Sequence, residues 1–209
     1  GPGASSTISS SYAVPCFVAG TMVDTCDGPR AVESLAAGDR VWTLDDGFQP
    51  LRQILITRVD AFRMQSDKRL WPVQIRAGAF GPDCPSRDVM VSPQHKILID
   101  DWRASYFWGD DQVLVPSVAM VDGVRVRQVP QTEDLTYVHL VFARHQVVST
   151  CGLLSESFFP GAQALAALSS DARAEFDALF PDFVPLGPAD LARPTVRRKE
   201  ALVAAGLAA

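Results

Sequence analysis

From Val18 to Arg127 the chain repeats one pattern, in which short runs rich in Val, Ile and Leu alternate with turn residues. Examples of such runs are Thr21–Thr25, Arg40–Leu44 and Gly123–Arg127. Asp-Gly pairs adjoin several of them, as at Asp27-Gly28, and both residues of such a pair tolerate the positive φ of a tight hairpin. Many short strands with no helical period between them predict an all-β domain.

Changes in composition and periodicity along the sequence divide the chain into three regions. Residues 1–15 are mostly small and polar and show no periodicity, which predicts a flexible leader. The β pattern continues through Tyr137–Phe142 and His145–Ser149, so the β domain is predicted over residues 16–158. Residues 159–209 are rich in helix formers interrupted by prolines, and they predict a helical C-terminal appendage.

Composition and charge argue against several classes of function. With 209 residues, 47% of them hydrophobic and 21% charged, the chain has the composition of a folded globular protein. Its net charge of -5 argues against a nucleic-acid partner, and no apolar stretch is long enough to span a bilayer. The Gly1-Pro2-Gly3 start is typical of a tag remnant, so the lack of an export signal leaves the cellular location open.

Cysteine and histidine are too few and too scattered to predict a metal site, and no motif predicts another cofactor. The three histidines do not show His-x-x-x-His spacing, and the cysteines do not form a Cys-x-x-Cys pair. In an oxidising compartment two disulfides remain an open alternative. The four cysteines are Cys16, Cys26, Cys84 and Cys151.

Cys16 stands at the junction between the leader and the first strand. Attack of its thiol on the Pro15 carbonyl would convert the Pro15–Cys16 amide into a thioester. The alternative is that Cys16 is a small buried apolar residue, as most free cysteines are. Its position at the junction favours the role of nucleophile.

Ser92-Pro-Gln-His95 is the second candidate element, and it lies between two apolar runs. Because Pro93 fixes φ, the turn is predicted to aim the Ser92 hydroxyl and the His95 imidazole at one point. Attack on an amide requires a proton for the departing nitrogen, and an imidazole supplies one near neutral pH. The alternative is that Ser92 caps a turn while His95 packs in the core.

Four other residues are candidates for assisting roles. His139 alternates with apolar neighbours on one strand and His145 lies in a predicted turn; each is a second acid–base group or a structural residue, and smaller effects are expected of both. Cys151 would neighbour Cys16 if the last strand returned beside the first. Asp60, at a strand end, is a candidate base or simply a solvated carboxylate.

These motifs together resemble one known family. The run Cys16–Trp42 resembles the opening block of Hint domains, the module shared by hedgehog autoprocessing domains and inteins. Ser92-x-x-His95 is similar to the Thr-x-x-His block of these domains, with Ser in place of Thr. The resemblance to the bacterial Hint subfamily in particular rests on Arg76–Gly78, Asp88–His95 and His139–Phe158. It covers residues 16–158.

The resemblance implies a horseshoe-like all-β fold and single-turnover self-cleavage. By it Cys16 is the nucleophile, His95 polarises or protonates the scissile amide, and Ser92 assists. Inteins finish with a His-Asn pair, whereas this chain has Glu156-Ser157 at the matching place and contains no asparagine. The implied reaction is therefore hedgehog-like cleavage of the chain's own upstream segment, with the thioester resolved by water, a thiol, an amine or an alcohol, and without splicing.

Two other functions are compatible with the sequence. One is an inert Hint scaffold that serves as a folding or interaction module of a larger secreted protein, since the resemblance suggests a secreted or extracellular bacterial protein. The other is a cysteine hydrolase that acts on foreign substrates. The sequence disfavours the hydrolase, because the peptide bond nearest to Cys16 belongs to the chain itself.

Overall fold

The computed structural model describes residues 15–158, 165–166, 170–179, 191–197 and 200–201. Strands dominate the first of these ranges, so the prediction of an all-β fold is confirmed. Apart from Pro15, the predicted leader lies outside the described residues, and so does most of the predicted C-terminal appendage. Among the described helices, none is long and apolar enough to cross a membrane.

The strands are β1 (Phe17–Val18), β2 (Met22–Thr25), β3 (Gly28–Ala31), β4 (Arg40–Thr43), β5 (Gly47–Pro50), β6 (Gln53–Val59), β7 (Val73–Ile75), β8 (Val89–Val91), β9 (Lys96–Ile99), β10 (Val113–Pro116), β11 (Val126–Gln128), β12 (Leu135–Val141), β13 (Val147–Thr150) and β14 (Leu153–Glu156). The helices are α1 (Ala61–Ser66), α2 (Trp102–Trp108) and α3 (Ser170–Leu179), with 3-10 turns at Val32–Ser34, Lys68–Leu70 and Ser117–Met120.

The strands form two sheets. The first has the order β11-β7-β8-β1-β12-β6, and the second has the order β10-β9-β14-β13-β4-β2-β3, with β5 paired to β4. The two-residue β1 therefore lies inside the first sheet, although it is the shortest strand. Apolar side chains from both sheets make a common core that includes Phe17, Val41, Val91 and Val148.

Gly20 lets the chain pass from the first sheet to the second. The Thr21 amide donates to the Val18 carbonyl at 3.1 Å, which closes a four-residue turn. Gly20 occupies the third position of this turn with φ of 90°, a conformation that costs a side-chain-bearing residue energy but not glycine. The turn places β1 and β2 in different sheets directly after the leader.

Two short helices interrupt the strands, although the sequence predicted no helical period there. Helix α1 has six residues and α2 has seven, and segments this short complete too few turns to show a period of 3.6. Each begins at an aspartate, Asp60 or Asp101, whose carboxylate accepts a hydrogen bond from a backbone N–H in the first turn. These capping aspartates were the feature of the sequence that could have indicated the two helices.

A described part of the C-terminal region docks on the second sheet. Thr195 forms a parallel bridge with Leu114 of β10, and the Leu114 amide donates to the Pro194 carbonyl at 2.9 Å. The Arg193 guanidinium binds both carboxylate oxygens of Asp45, at 2.7 and 3.0 Å. Residues 191–197 therefore extend the edge of the β domain in this structure.

Candidate active site

The register of β1 determines which residues surround Cys16. Phe17 pairs with Val138 of β12 on one side and with Val91 of β8 on the other, both antiparallel. One residue earlier in the register, Cys16 therefore lies between His139 and Ser92. The pairing of β1 thus brings Cys16 next to Ser92, which is 76 residues away in the sequence, and Pro15 next to His139, which is 124 residues away.

The carbonyl oxygen of the Pro15–Cys16 peptide lies 3.1 Å from Nδ1 of His139. Because a carbonyl oxygen only accepts, Nδ1 carries the proton and donates it to this bond. Nε2 of the same ring lies 3.1 Å from the hydroxyl of Thr57, which then donates to it. Burial lowers the pKa of His139 to about 4, partly opposed by the bond to Pro15, so the ring is neutral at pH 7.

The nitrogen of the same peptide is bound from the other side. The Cys16 N–H donates to the Ser92 hydroxyl oxygen at 3.1 Å, and the Ser92 N–H donates to the Cys16 carbonyl at 2.9 Å. Cys16 is 1% exposed, and burial raises the pKa of its thiol far above the usual value. A hydrogen bond from Ser92 opposes this shift, while the negative charge of Glu156 adds to it. The Cys16 side chain is therefore a neutral thiol at neutral pH.

His95 lies at the end of the predicted turn. Its main-chain N–H donates to the Ser92 carbonyl at 3.0 Å, and its ring packs on Phe17 with centroids 4.4 Å apart. Among the described residues, neither ring nitrogen has a hydrogen-bond partner, although the residue is 1% exposed. Burial lowers the pKa of His95 to about 4, with opposing contributions from Glu156 and from the Cys16 backbone.

A buried cluster of charges lies next to His95. The carboxylate of Glu156 accepts hydrogen bonds from the main-chain N–H of Lys96 at 3.0 Å and from its ammonium group at 3.1 Å. Nε2 of His145 lies 3.4 Å from the other carboxylate oxygen. Burial alone would raise the pKa of Glu156, but Lys96 and His145 hold it below its ordinary value. His145, predicted in a turn after β12, is thus buried in this cluster.

The two ends of the β domain meet at His139. Phe158, two residues beyond β14, packs edge-on against the His139 ring with centroids 5.4 Å apart. Its N–H donates to the Leu140 carbonyl at 2.9 Å, and it forms a parallel bridge with Val141. The chain therefore leaves the domain beside the point where Pro15 enters it.

Two candidates from the sequence lie away from this site. The last strand, β14, pairs with β13 and β9 rather than with β1, so the expected neighbourhood of Cys151 and Cys16 is wrong. Cys151 instead occupies the β13–β14 turn with its sulfur 3.8 Å from the Met22 carbonyl. The exposed Asp60 caps α1, since its carboxylate accepts from the Arg63 N–H at 2.8 Å, and this is the structural role that accounts for its position at the end of β6.

Sequence reasoning missed the positions of Thr57 and Glu156. Thr57 is 3% exposed and lies on the inward face of β6, between the buried Leu55 and Val59. Its signal was a hydroxyl at an apolar position of an alternating strand, which is weak because threonine is common in strands. Glu156 gave a stronger signal, since a carboxylate at the end of an apolar run requires a partner when it is buried.

The residues of this site include no obvious metal centre. Among the described residues, no three His, Cys, Asp or Glu side chains form a group that would hold a metal ion. Of the four cysteines, Cys16 is the buried one.

Two comparisons with known proteins give matches, one with a family model and one with solved structures. A family model described as the Hint domain matches residues 15–162. Among solved structures, a bacterial intein-like domain from Clostridium thermocellum is similar with 13% identity and a TM-score of 0.42, over 68% of this chain and 97% of that one. The gp41-1 intein is similar with 9% identity and a TM-score of 0.41, over 68% and 97% of the two chains. The comparison with curated proteins gives no match.

Proposed function

Because this chain belongs to the Hint domain family of self-processing proteins, we propose that it cleaves the peptide bond between Pro15 and Cys16 through a thioester. The observation that carries the proposal is the way this bond is held. His139 donates to its carbonyl oxygen and Ser92 accepts from its N–H, while the candidate nucleophile is the side chain of Cys16 itself.

In the proposed first step, the Cys16 sulfur attacks the Pro15 carbonyl carbon. Negative charge develops on the Pro15 oxygen, where the N–H of His139 stabilises it as an oxyanion-hole donor does. His95 takes the thiol proton and delivers it to the Cys16 nitrogen as the carbon–nitrogen bond breaks. The products are a thioester between Pro15 and the Cys16 sulfur and a free α-amine on Cys16.

In the proposed second step, water, a thiol, an amine or an alcohol attacks the thioester carbonyl. The upstream segment leaves on that nucleophile, and the Cys16 thiol is restored. Splicing requires a further nucleophile that releases the downstream segment, and in inteins this is asparagine. The chain contains no asparagine, and Glu156-Ser157 stands at the matching place, which supports cleavage without splicing.

Mass spectrometry after incubation with dithiothreitol or hydroxylamine tests this function. We expect loss of the upstream segment from the parent chain and an intact mass for Cys16→Ala, which should stay folded because a methyl group replaces a buried thiol. Cleavage at an unchanged rate in Cys16→Ala would refute the thioester.

The second candidate function is an inert scaffold. The observation that favours it is the deep burial of Cys16, whose thiol has a raised pKa and a correspondingly small thiolate fraction. In that case the parent chain would keep its intact mass under both reagents, while circular dichroism would show a folded β protein.

A further inference from the structure

Glu156 carries a negative charge in a place where an unpaired charge would be very costly. Its side chain is 2% exposed, yet it accepts from the Lys96 main chain and ammonium group at 3.0 and 3.1 Å. A buried carboxylate remains ionised only when hydrogen bonds and opposite charges replace the lost water. The geometry therefore describes a fixed anion.

His145 holds this anion from a second side, and its own orientation is fixed. The Ala192 N–H donates to Nδ1 of His145 at 3.1 Å, so in the neutral ring Nε2 carries the proton, and Nε2 lies 3.4 Å from a Glu156 carboxylate oxygen. Ala192 is in turn anchored, because the adjacent Arg193 binds Asp45. The carboxylate thus has little freedom to turn away.

The anchoring bond to Lys96 places the anion at the peptide that directly follows His95. The pairing of Ser155 with Ile97 keeps β14 and β9 in this register. The charged and titratable side chains that act on His95 are Lys96, the first residue of β9, Glu156 on β14 and His139 on β12, while Cys16 acts on it through its main chain. Among these described groups, Glu156 supplies the negative charge.

We propose that Glu156 is a positioning residue for the acyl shift: its fixed charge stabilises the protonated form of His95 while the proton travels from the thiol to the Cys16 nitrogen. This inference rests on the proposed function. The thiol is neutral at rest. As its proton moves to His95, a sulfur electron pair forms the sulfur–carbon bond and the carbonyl π pair moves to the Pro15 oxygen, which leaves His95 as the cation beside Glu156. An interaction made only in that state accelerates the step.

The first arm of the test measures His95 directly and needs no cleavage. In the Cys16→Ala background, nitrogen-15 NMR of the imidazole follows protonation of His95 against pH. We expect the midpoint, about 4 in the parent, to fall by about one pH unit in Glu156→Gln, because the neutral amide no longer stabilises the cation. The matched control is Ser155→Ala on the same strand, which removes a buried hydroxyl and should leave the midpoint unchanged.

A second variant keeps the test decisive if Glu156→Gln does not fold. Lys96→Met removes the ammonium group but preserves the main-chain hydrogen bond to Glu156. Since Lys96 lowers the pKa of His95, this variant should raise the midpoint. A purely structural role would shift neither midpoint, and an unchanged midpoint in a folded Glu156→Gln or Lys96→Met would overturn the proposal.

The second arm measures cleavage with dithiothreitol in the chain that retains Cys16. We expect Glu156→Gln to slow thioester formation on the order of tenfold, in step with its midpoint, and Ser155→Ala to cleave at the parent rate. If the parent chain never cleaves although Glu156→Gln shifts the His95 midpoint, the proposed function and the catalytic role of Glu156 are both refuted. The electrostatic effect of Glu156 on His95 would still be established. Normal cleavage in Glu156→Gln with an unchanged midpoint would overturn the role of Glu156 and leave the proposed function intact.

Discussion

The two sides of the Pro15–Cys16 peptide are held by two buried histidines in very different ways. On the acyl side, both ring nitrogens of His139 are engaged, one with the Pro15 carbonyl and the other with Thr57. On the amide side, His95 is equally buried, yet neither of its ring nitrogens has a hydrogen-bond partner among the described residues. Burial lowers the pKa of both to about 4.

This difference matches what the two sides have to do in the proposed reaction. A donor to a developing oxyanion works best when it is fixed in advance, because it then needs no reorganisation during the reaction. A group that carries a proton must take it from one atom and deliver it to another. A ring whose two nitrogens are both engaged in hydrogen bonds would be held in place. The ring nitrogens of His95 are therefore not committed to a strong bond with another described side chain, as a proton carrier in the proposed reaction requires.

Replacement of His95 is expected to give the largest effect on the amide side. His95→Ala removes the proton carrier, and thioester formation should slow by roughly 100-fold to 10,000-fold, the usual range for general acid–base catalysis. The measurement is the rate of dithiothreitol-induced cleavage, followed by mass spectrometry. His95→Gln is the matched control, because it retains a buried polar side chain that does not exchange protons near neutral pH. It should be as slow as His95→Ala, and a rate close to that of the parent would return His95 to a packing role.

His139 should respond to the same two substitutions in a different way. His139→Ala removes the donor to the Pro15 oxygen and should slow the step by roughly 100-fold to 1,000-fold, as the loss of one oxyanion donor does. His139→Gln keeps an N–H donor in the same region, so part of the rate should return. Rescue by glutamine at 139 but not at 95 would establish the difference between a donor and a carrier. Equal loss in both glutamine variants would contradict it.

The sequence predicted the local features of this site better than its assembly. Asp27-Gly28 marked a hairpin correctly, since Gly28 has φ of 93° at the start of β3. Ser92 and His95 follow from a local turn, and position and family resemblance singled out Cys16. These features depend on residues that are neighbours in the chain, and local conformational preferences are sufficient to reveal them.

The contact between His139 and the Pro15–Cys16 peptide could not be predicted from the sequence because it depends on strand pairing. From the sequence alone, a smaller effect is expected of His139, because a histidine between apolar residues is usually structural. Its contact with Pro15 exists because β1 inserts between β8 and β12, and the run Phe17-Val18 is too short to specify either neighbour. The contact between Ala192 and His145 is likewise non-local, and no periodicity in residues 159–209 indicated it.

The smallest expected effect concerns Thr57, which contacts His139 but not the reacting peptide. Thr57→Val preserves the shape of the side chain and removes the hydroxyl that donates to Nε2 of His139. Without this partner the neutral ring is free to move its proton to Nε2, which would leave Nδ1 unable to donate to the Pro15 oxygen. The net value of one hydrogen bond, about 0.5–1.5 kcal/mol, corresponds to a rate loss of roughly 2-fold to 10-fold. Nitrogen-15 chemical shifts of the ring should report a larger share of the Nε2–H tautomer, and Thr57→Ser, which retains a hydroxyl, should restore both the tautomer and the rate. A slowed Thr57→Val with an unchanged tautomer would mean that Thr57 acts through packing, and the acyl side would then be no better fixed than the amide side.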